Sequence, residues 1–292
     1  MDVDRHMQVP RRKPNESDMP SAPLIHCPVK QALVLPEERL ELSFGDRSVI
    51  NSLTIVPWRT LHRLNCLDLA DSIPPEHRQA TILKWEWEIP AINQKILDLG
   101  FETLFCTSTS KKWPIRNFAY PDWVKPSIYR SPVKDIHFSF VGWENNPLRK
   151  RIFELYGHLP SVIKRDEYNS SERNKEHDSQ FVDILSRSRF SLCPAGIGSG
   201  TRRIWESLAA GAIPVIISDE WHPPSCWDWS NTVIFLKKWQ VMENRNKINV
   251  ATILPKWRED QMRANCYRAS RAFHSPDFLL KYIDYTINVN RQ

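Results

Sequence analysis

The residues from Arg189 to Asp219 constrain the fold of this chain more than any other stretch. Phe190, Ser191, Leu192 and Cys193 form a short, largely apolar run, which predicts a buried strand. Pro194 to Gly200 holds three of the chain's eight glycines, which predicts a loop whose backbone can approach a ligand closely. Thr201 then stands where a helix cap belongs, with Ile204, Leu208 and the following alanines on one helical face. Gly211 stops that helix. Ile213 to Ile217 follows as a second strand, with the continuous β-branched content of a parallel sheet covered on both faces. The unit is β-loop-α-β, with a glycine loop aimed at a helix N-terminus.

Such a terminus attracts phosphate, because its first N–H groups have no partner within the helix. Arg202 and Arg203 put fixed positive charge beside it, and Glu206 is placed one turn on to take two ribose hydroxyls. On spacing alone, a solvated helix face fits these three residues as well. The loop is neither G-x-x-x-x-G-K-[ST] nor G-x-G-x-x-G, so neither a P-loop nor an ordinary dinucleotide fold is indicated.

The combined pattern resembles the C-terminal half of exostosin-type glycosyltransferases. Phe190, Leu192, Pro194 and Gly196 match its first segment, and Thr201, Arg203, Glu206, Gly211, Ile213, Pro214 and Val215 its second. Asp219, Pro224 and the segment Asp228-Trp229-Ser230 match its third. Ala212 stands where many members have Cys, and Thr201 where many have Ser. The resemblance extends over about 135–235 and is weak before it. It implies an α/β fold of GT-B type, two Rossmann-like domains facing a cleft, and inverting chemistry. The nucleotide-sugar donor would sit in the C-terminal half and the acceptor in the more variable N-terminal half. Animal and plant members usually carry an N-terminal membrane anchor. The N-terminal stretch here is polar and no apolar run approaches 18 residues, so the expectation is a soluble, cytoplasmic protein.

A formal charge of +6 suits an anionic substrate. The basic residues are scattered rather than clustered, which argues against nucleic acid as a partner. The six cysteines include no C-x-x-C pair, so neither a zinc site nor a disulfide framework is indicated.

Taken in order, residues 1–22 read as a disordered tail rich in Pro, Ser and charge. The triplet Asp2-Val3-Asp4 lies there, away from any predicted strand, so no metal site is assigned to it. Residues 23–132 read as an irregular α/β acceptor-binding domain. Its predicted strands lie at 32–35, 53–56 and 101–106, its predicted helices at 59–70 and 91–99, and its Pro-rich linker at 113–132. Within it, Lys84-Trp85-Glu86-Trp87-Glu88 alternates aromatic and charged residues. This is either a half-buried edge strand or a sugar platform beside a general base. Residues 133–292 read as the donor domain. Its first strand, 137–142, ends at Gly142, where ligands bind in open α/β sheets. Arg149 and Arg151 follow in a basic helix, each a candidate for a donor phosphate or for a solvated face. Lys164 to Asp178 reads as a charged loop, a surface excursion by preference over a flap near the cleft, His222 as a structural histidine, and 258–285 as a terminal helix that can cross back to the first domain.

The expected reaction is inverting transfer of a sugar, xylose or galactose by preference, from a UDP-sugar to a hydroxyl of a glycan. Arg203, with Arg202 and the loop at Pro194, Gly196, Ser199, Gly200 and Thr201, would neutralise the leaving diphosphate. Glu206 would hold the ribose. The catalytic base is expected among Glu86, Glu88, Asp71 and Asp122, and the residues do not choose between them. No cofactor is strictly required on this reading, and a divalent cation is at most stimulatory. The alternative is a non-catalytic carbohydrate-binding or accessory subunit of the same fold.

Overall fold

The computed structural model describes residues 49–50, 53–54, 56, 58–83, 89–122, 124, 127–165, 175–244 and 246–289. The tail at 1–22, the Asp2-Val3-Asp4 triplet, the strand expected at 32–35 and the segment holding Glu86 and Glu88 lie outside the described residues.

Two sheets organise the chain. The first runs β1 (Val49–Ile50), β2 (Leu53–Thr54), β3 (Ala80–Leu83), β4 (Thr103–Cys106), β5 (Arg116–Ala119), in that spatial order. Only the β1–β2 pair is antiparallel. Helices α1 (Trp58–Arg63) and α2 (Pro90–Asp98) and short 3-10 turns at Leu67–Ser72 and Pro75–His77 join these strands. Trp58, fully buried, donates its indole N–H to Thr81 Oγ1 at 3.0 Å, so its one polar atom is satisfied inside the core.

The second sheet has the order β10-β9-β8-β6-β7 and is parallel throughout. Its strands are β6 (Ile136–Trp143), β7 (Val162–Arg165), β8 (Ser188–Pro194), β9 (Ile213–Ile217) and β10 (Ile234–Leu236). Helix α3 (Pro147–Tyr156) joins β6 to β7, α4 (Lys175–Arg187) joins β7 to β8, and α5 (Arg202–Ala210) joins β8 to β9. Every residue of β9 is buried, as its unbroken apolar sequence requires. Gly211 ends α5 with φ +67°, the left-handed cap that favours glycine. Helices α6 (Lys238–Glu243), α7 (Lys247–Ala251), α8 (Lys256–Phe273) and α9 (Pro276–Val289) complete the chain.

Three expectations are corrected. Part of the expected linker is the strand β5, paired in register with β4 from Thr103↔Arg116 to Cys106↔Ala119. As the last strand of its sheet it is only partly buried, so the apolar alternation that marks a strand is missing. Of the expected charged loop, Lys164 and Arg165 belong to β7, 166–174 lie outside the described residues, and Lys175 to Asp178 already belong to α4. The expected terminal helix is two helices, α8 and α9, because Pro276 cannot continue the first and starts the second.

Helix α9 returns to the first unit. Tyr282 donates its hydroxyl to the Ala119 carbonyl at 2.9 Å and meets Phe105 edge-on at 5.9 Å. One hydrophobic cluster therefore runs through both units, from Phe105 and Tyr120 to Trp205 and Phe273. Among the described residues, no helix is long and apolar enough to cross a membrane.

Candidate active site

The carboxyl ends of β6 and β8 bring two guanidinium groups together. Arg203, in the first turn of α5, lies 4.8 Å from the centroid of the Phe140 ring, and Arg149, in the first turn of α3, lies 5.8 Å from it. One Nη of Arg203 donates to the Val141 carbonyl, while its buried Nε has no hydrogen-bond partner. Burial lowers the proton affinity of this guanidinium, and Cys193 and Glu206 oppose the effect. Glu206 follows three residues on, on the same helical face, and is buried. Gly142 makes this packing possible, because a Cβ there would stand 3.1 Å from the Phe140 ring and 3.4 Å from Arg203.

Arg149 ties the two strand ends together. It donates to the carbonyls of Trp143, Pro194 and Ala195 at 3.2, 3.3 and 3.3 Å. Asn146 caps α3 by accepting from the Arg149 amide at 3.0 Å, and its own NH2 donates to Ala195 and Gly196 at 3.0 and 2.9 Å. A Cβ on Gly196 would fall 2.8 Å from Arg149 Nη2. Asn146-Pro147 is a legible helix start, yet sequence reasoning passed over Asn146 as a site residue.

The rest of the glycine loop serves the contact between the two units. The segment after β4, Thr107 to Ser110, inserts against it. Ser199 donates to the Thr109 carbonyl at 2.6 Å and the Gly200 amide to Ser108 Oγ at 3.3 Å. A Cβ on Gly200 would collide with the Thr107 carbonyl oxygen. Thr201 takes the cap position of α5, but its hydroxyl makes no cap hydrogen bond. Arg202 pairs with Asp122, just past β5, at 3.2 Å. Glu220 accepts from Ser110 at 2.8 Å and pairs with Lys112 at 2.9 Å, and these bonds hold its carboxyl below the ordinary range. The His222 amide donates to Thr109 Oγ1 at 2.8 Å, while the buried His222 Nε2 has no partner. Burial, Lys111 and Lys237 favour the neutral form of this imidazole. These contacts set the carboxyl ends of both sheets against each other. The run Thr107-Ser108-Thr109-Ser110, four hydroxyls after a strand, was the signal for them in the sequence.

The model of the Exostosin GT47 domain matches residues 101–251, or 151 of the 292. The chain belongs to the exostosin GT47 family. An exostosin-1 homolog from Caenorhabditis elegans is 32% identical over 84 residues, covering 28% of this chain and 20% of that protein. Exostosin-1 from Drosophila melanogaster is 39% identical over 67 residues, covering 22% and 9%. A putative fucosyltransferase-like protein from Arabidopsis thaliana is 26% identical over 126 residues, covering 40% and 24%. These matches span a quarter or less of each curated relative. Looser likenesses in structure include the pneumococcal O-GlcNAc transferase GtfA in complex with UDP and GlcNAc, at 12% identity and a TM-score of 0.41. It covers 79% of this chain and 54% of that one.

The exostosin match takes in Asp122 and every expected donor residue, and leaves out Asp71, Glu86 and Glu88. Asp71 is exposed on the flank of the first unit and is salt-bridged to Lys95 of α2 at 2.7 Å. Arg151 lies apart from Arg149. It pairs with Glu154 at 3.3 Å and lines a cavity of about 1000 Å³ at the amino end of β6, opposite to Arg203. The exostosin-like Asp228-Trp229 segment is structural. Asp228 caps the turn Trp229–Asn231, and Trp229 stacks on Phe273 at 5.6 Å. Cys66, Cys106, Cys193, Cys226 and Cys266 are free thiols, and burial pushes Cys193 up to about 11. Among the described residues, no group of three His, Cys, Asp or Glu side chains is placed to hold a metal.

Proposed function

We propose that the chain is an inverting glycosyltransferase that moves a sugar, xylose or galactose by preference, from a UDP-sugar to a hydroxyl of a glycan. The observation that carries this reading is the buried, unpartnered Nε of Arg203 at the carboxyl ends of β6 and β8. A buried donor without an acceptor is rare, and a ligand oxygen is the natural acceptor here. Inversion is one displacement at the anomeric carbon. The acceptor hydroxyl loses its proton to a base as it attacks, and the UDP oxygen leaves with the bonding electrons. Arg203 and Arg149 face that leaving diphosphate, and the positive end of the α5 dipole adds to them. Glu206 takes the ribose hydroxyls.

The base comes from the first unit. Asp122 is the candidate beside α5, and there its carboxylate is held by Arg202. It must exchange that partner for an acceptor hydroxyl before it acts. No divalent cation is strictly required, because the arginines supply the charge that a metal otherwise would. The test is turnover of UDP-xylose, UDP-galactose, UDP-glucuronic acid and UDP-N-acetylglucosamine against glycan acceptors, with the anomeric configuration of the product read by NMR. The expected result is an inverted product, and loss of most turnover in Arg203→Ala while that variant still folds. Unchanged turnover in Arg203→Ala refutes its role. Binding of glycan without turnover of any donor establishes the accessory subunit instead.

A further inference from the structure

A second set of cations converges at the other end of the C-terminal sheet. Arg130, Lys134, Arg263 and Gly211 line a cavity of about 390 Å³, with Asp260 as the one lining carboxylate among the described residues. The cavity lies where the chain enters the strands: Lys134 precedes β6, and Gly211 precedes β9. Ligands of the donor class bind at the opposite, carboxyl ends, where Arg203 and Arg149 stand.

Positive charge dominates here. Asp260 is shared between Lys256 at 2.6 Å and Arg263 at 2.8 Å. Glu259, 3.7 Å from Arg263, is committed to Arg189. Among the described residues, neither Arg130 nor Lys134 has a carboxylate partner. Lys134 gives two N–H bonds to the carbonyls of Ser186 and Ala210, at 2.6 and 2.8 Å, and has a third to give. The Arg130 guanidinium lies 4.1 Å from the centroid of the Tyr267 ring, and Arg271 lies 5.7 Å from the same ring. Gly211 leaves the space that Arg130 uses, since a Cβ there would stand 3.1 Å from its Nε.

We propose that this cavity is a second anion site, taking one tetrahedral oxyanion as free phosphate or as the phosphate monoester end of a larger molecule. The planar fork of Arg130 and the half-buried ammonium of Lys134, with Arg263 beside them, suit a dianion better than a single carboxylate. Burial, then Arg263 and Arg130, lower the Lys134 pKa to about 8, while the neighbouring Cys266 thiol is held neutral by its own burial. Bound phosphate relieves the repulsion among the cations, and its affinity falls as pH rises through that value and Lys134 loses its proton. The inference does not rest on the transferase reading.

The test is calorimetric titration of the full chain with inorganic phosphate at pH 7, with chloride balancing the ionic strength, and a parallel titration with phenyl phosphate. Arg130 is exposed, so Arg130→Ala leaves the fold intact, and a thermal melt checks this. The expected result is saturable phosphate binding that weakens at least fivefold in Arg130→Ala and in Arg263→Ala, and weakens from pH 7 to pH 9. Tighter binding of phenyl phosphate supports the site with a monoester as occupant, and tighter inorganic phosphate supports it with the free ion. Equal affinity in wild type and both cavity variants overturns the proposal. So does loss in Arg203→Ala alone, or a response no different from chloride.

Discussion

Replacing Gly200 by Ala tests how the two units are joined. The new Cβ would collide with the Thr107 carbonyl oxygen and stand 3.0 Å from Cδ1 and Nε1 of Trp221. Neither neighbour can swing aside: one is backbone, and the other is a buried indole. The loop must retreat, which strains the 3.3 Å bond from the Gly200 amide to Ser108 and the 2.6 Å bond from Ser199 to Thr109. Overpacking costs about 1–3 kcal/mol, and each hydrogen bond lost about 0.5–1.5 kcal/mol net. A total of about 3 kcal/mol, at about 2–4 °C per kcal/mol for a chain of this size, lowers the melting midpoint by about 6–12 °C. Circular dichroism against temperature reads this directly. Gly196→Ala is the control, because its Cβ would meet the flexible end of Arg149, 2.8 Å away, rather than backbone. It is expected to cost less than Gly200→Ala, about 1–2 kcal/mol, since the side chain can turn to another rotamer and the bonds it loosens are long, at 3.2–3.3 Å, while the guanidinium is displaced from the proposed donor site. A Gly200→Ala midpoint equal to wild type, or a Gly196→Ala midpoint as low as that of Gly200→Ala, refutes the reasoning.

Two further outcomes are expected. Glu259→Gln breaks the ion pair between α8 and β8 and should cost about 2–4 kcal/mol, somewhat below a fully buried pair because Arg189 is 35% exposed. Burial by itself raises the Glu259 pKa, but Arg189, Arg263 and Lys256 outweigh it and hold the carboxyl below its ordinary value of 4.5. Its contribution is therefore present above that pH and lost on acidification below it, so the melting difference between wild type and variant should shrink in acid. A pH-independent difference contradicts this assignment. For the reaction itself, EDTA should leave substantial transfer activity, and complete loss rescued by a divalent cation refutes a metal-independent site.

The C-terminal unit was legible because its local signals agree. The apolar run ending at Cys193, the glycine loop, the stop at Gly211 and the β-branched run at Ile213 to Ile217 each specify one conformation, and the structure follows them in order. Less was legible where a partner decides. β5 is a strand because β4 pairs with it, and its own residues carry no alternation. Two neighbouring arginines of one helix, Arg149 and Arg151, face opposite ends of the sheet, which no reading of spacing separates. The loop glycines looked alike in the sequence. In the structure Gly196 adjoins the Arg149 guanidinium, while Gly200 admits the backbone of the other unit.

The most direct measurement is calorimetric titration of UDP into the wild-type chain and into Glu206→Ala, with the variant first shown to melt cooperatively. The account predicts saturable binding to wild type and an affinity at least about tenfold lower in the variant, a loss of about 1.4 kcal/mol or more. Absence of UDP binding to wild type, or equal affinity in the two proteins, would contradict a nucleotide-sugar site at the start of α5.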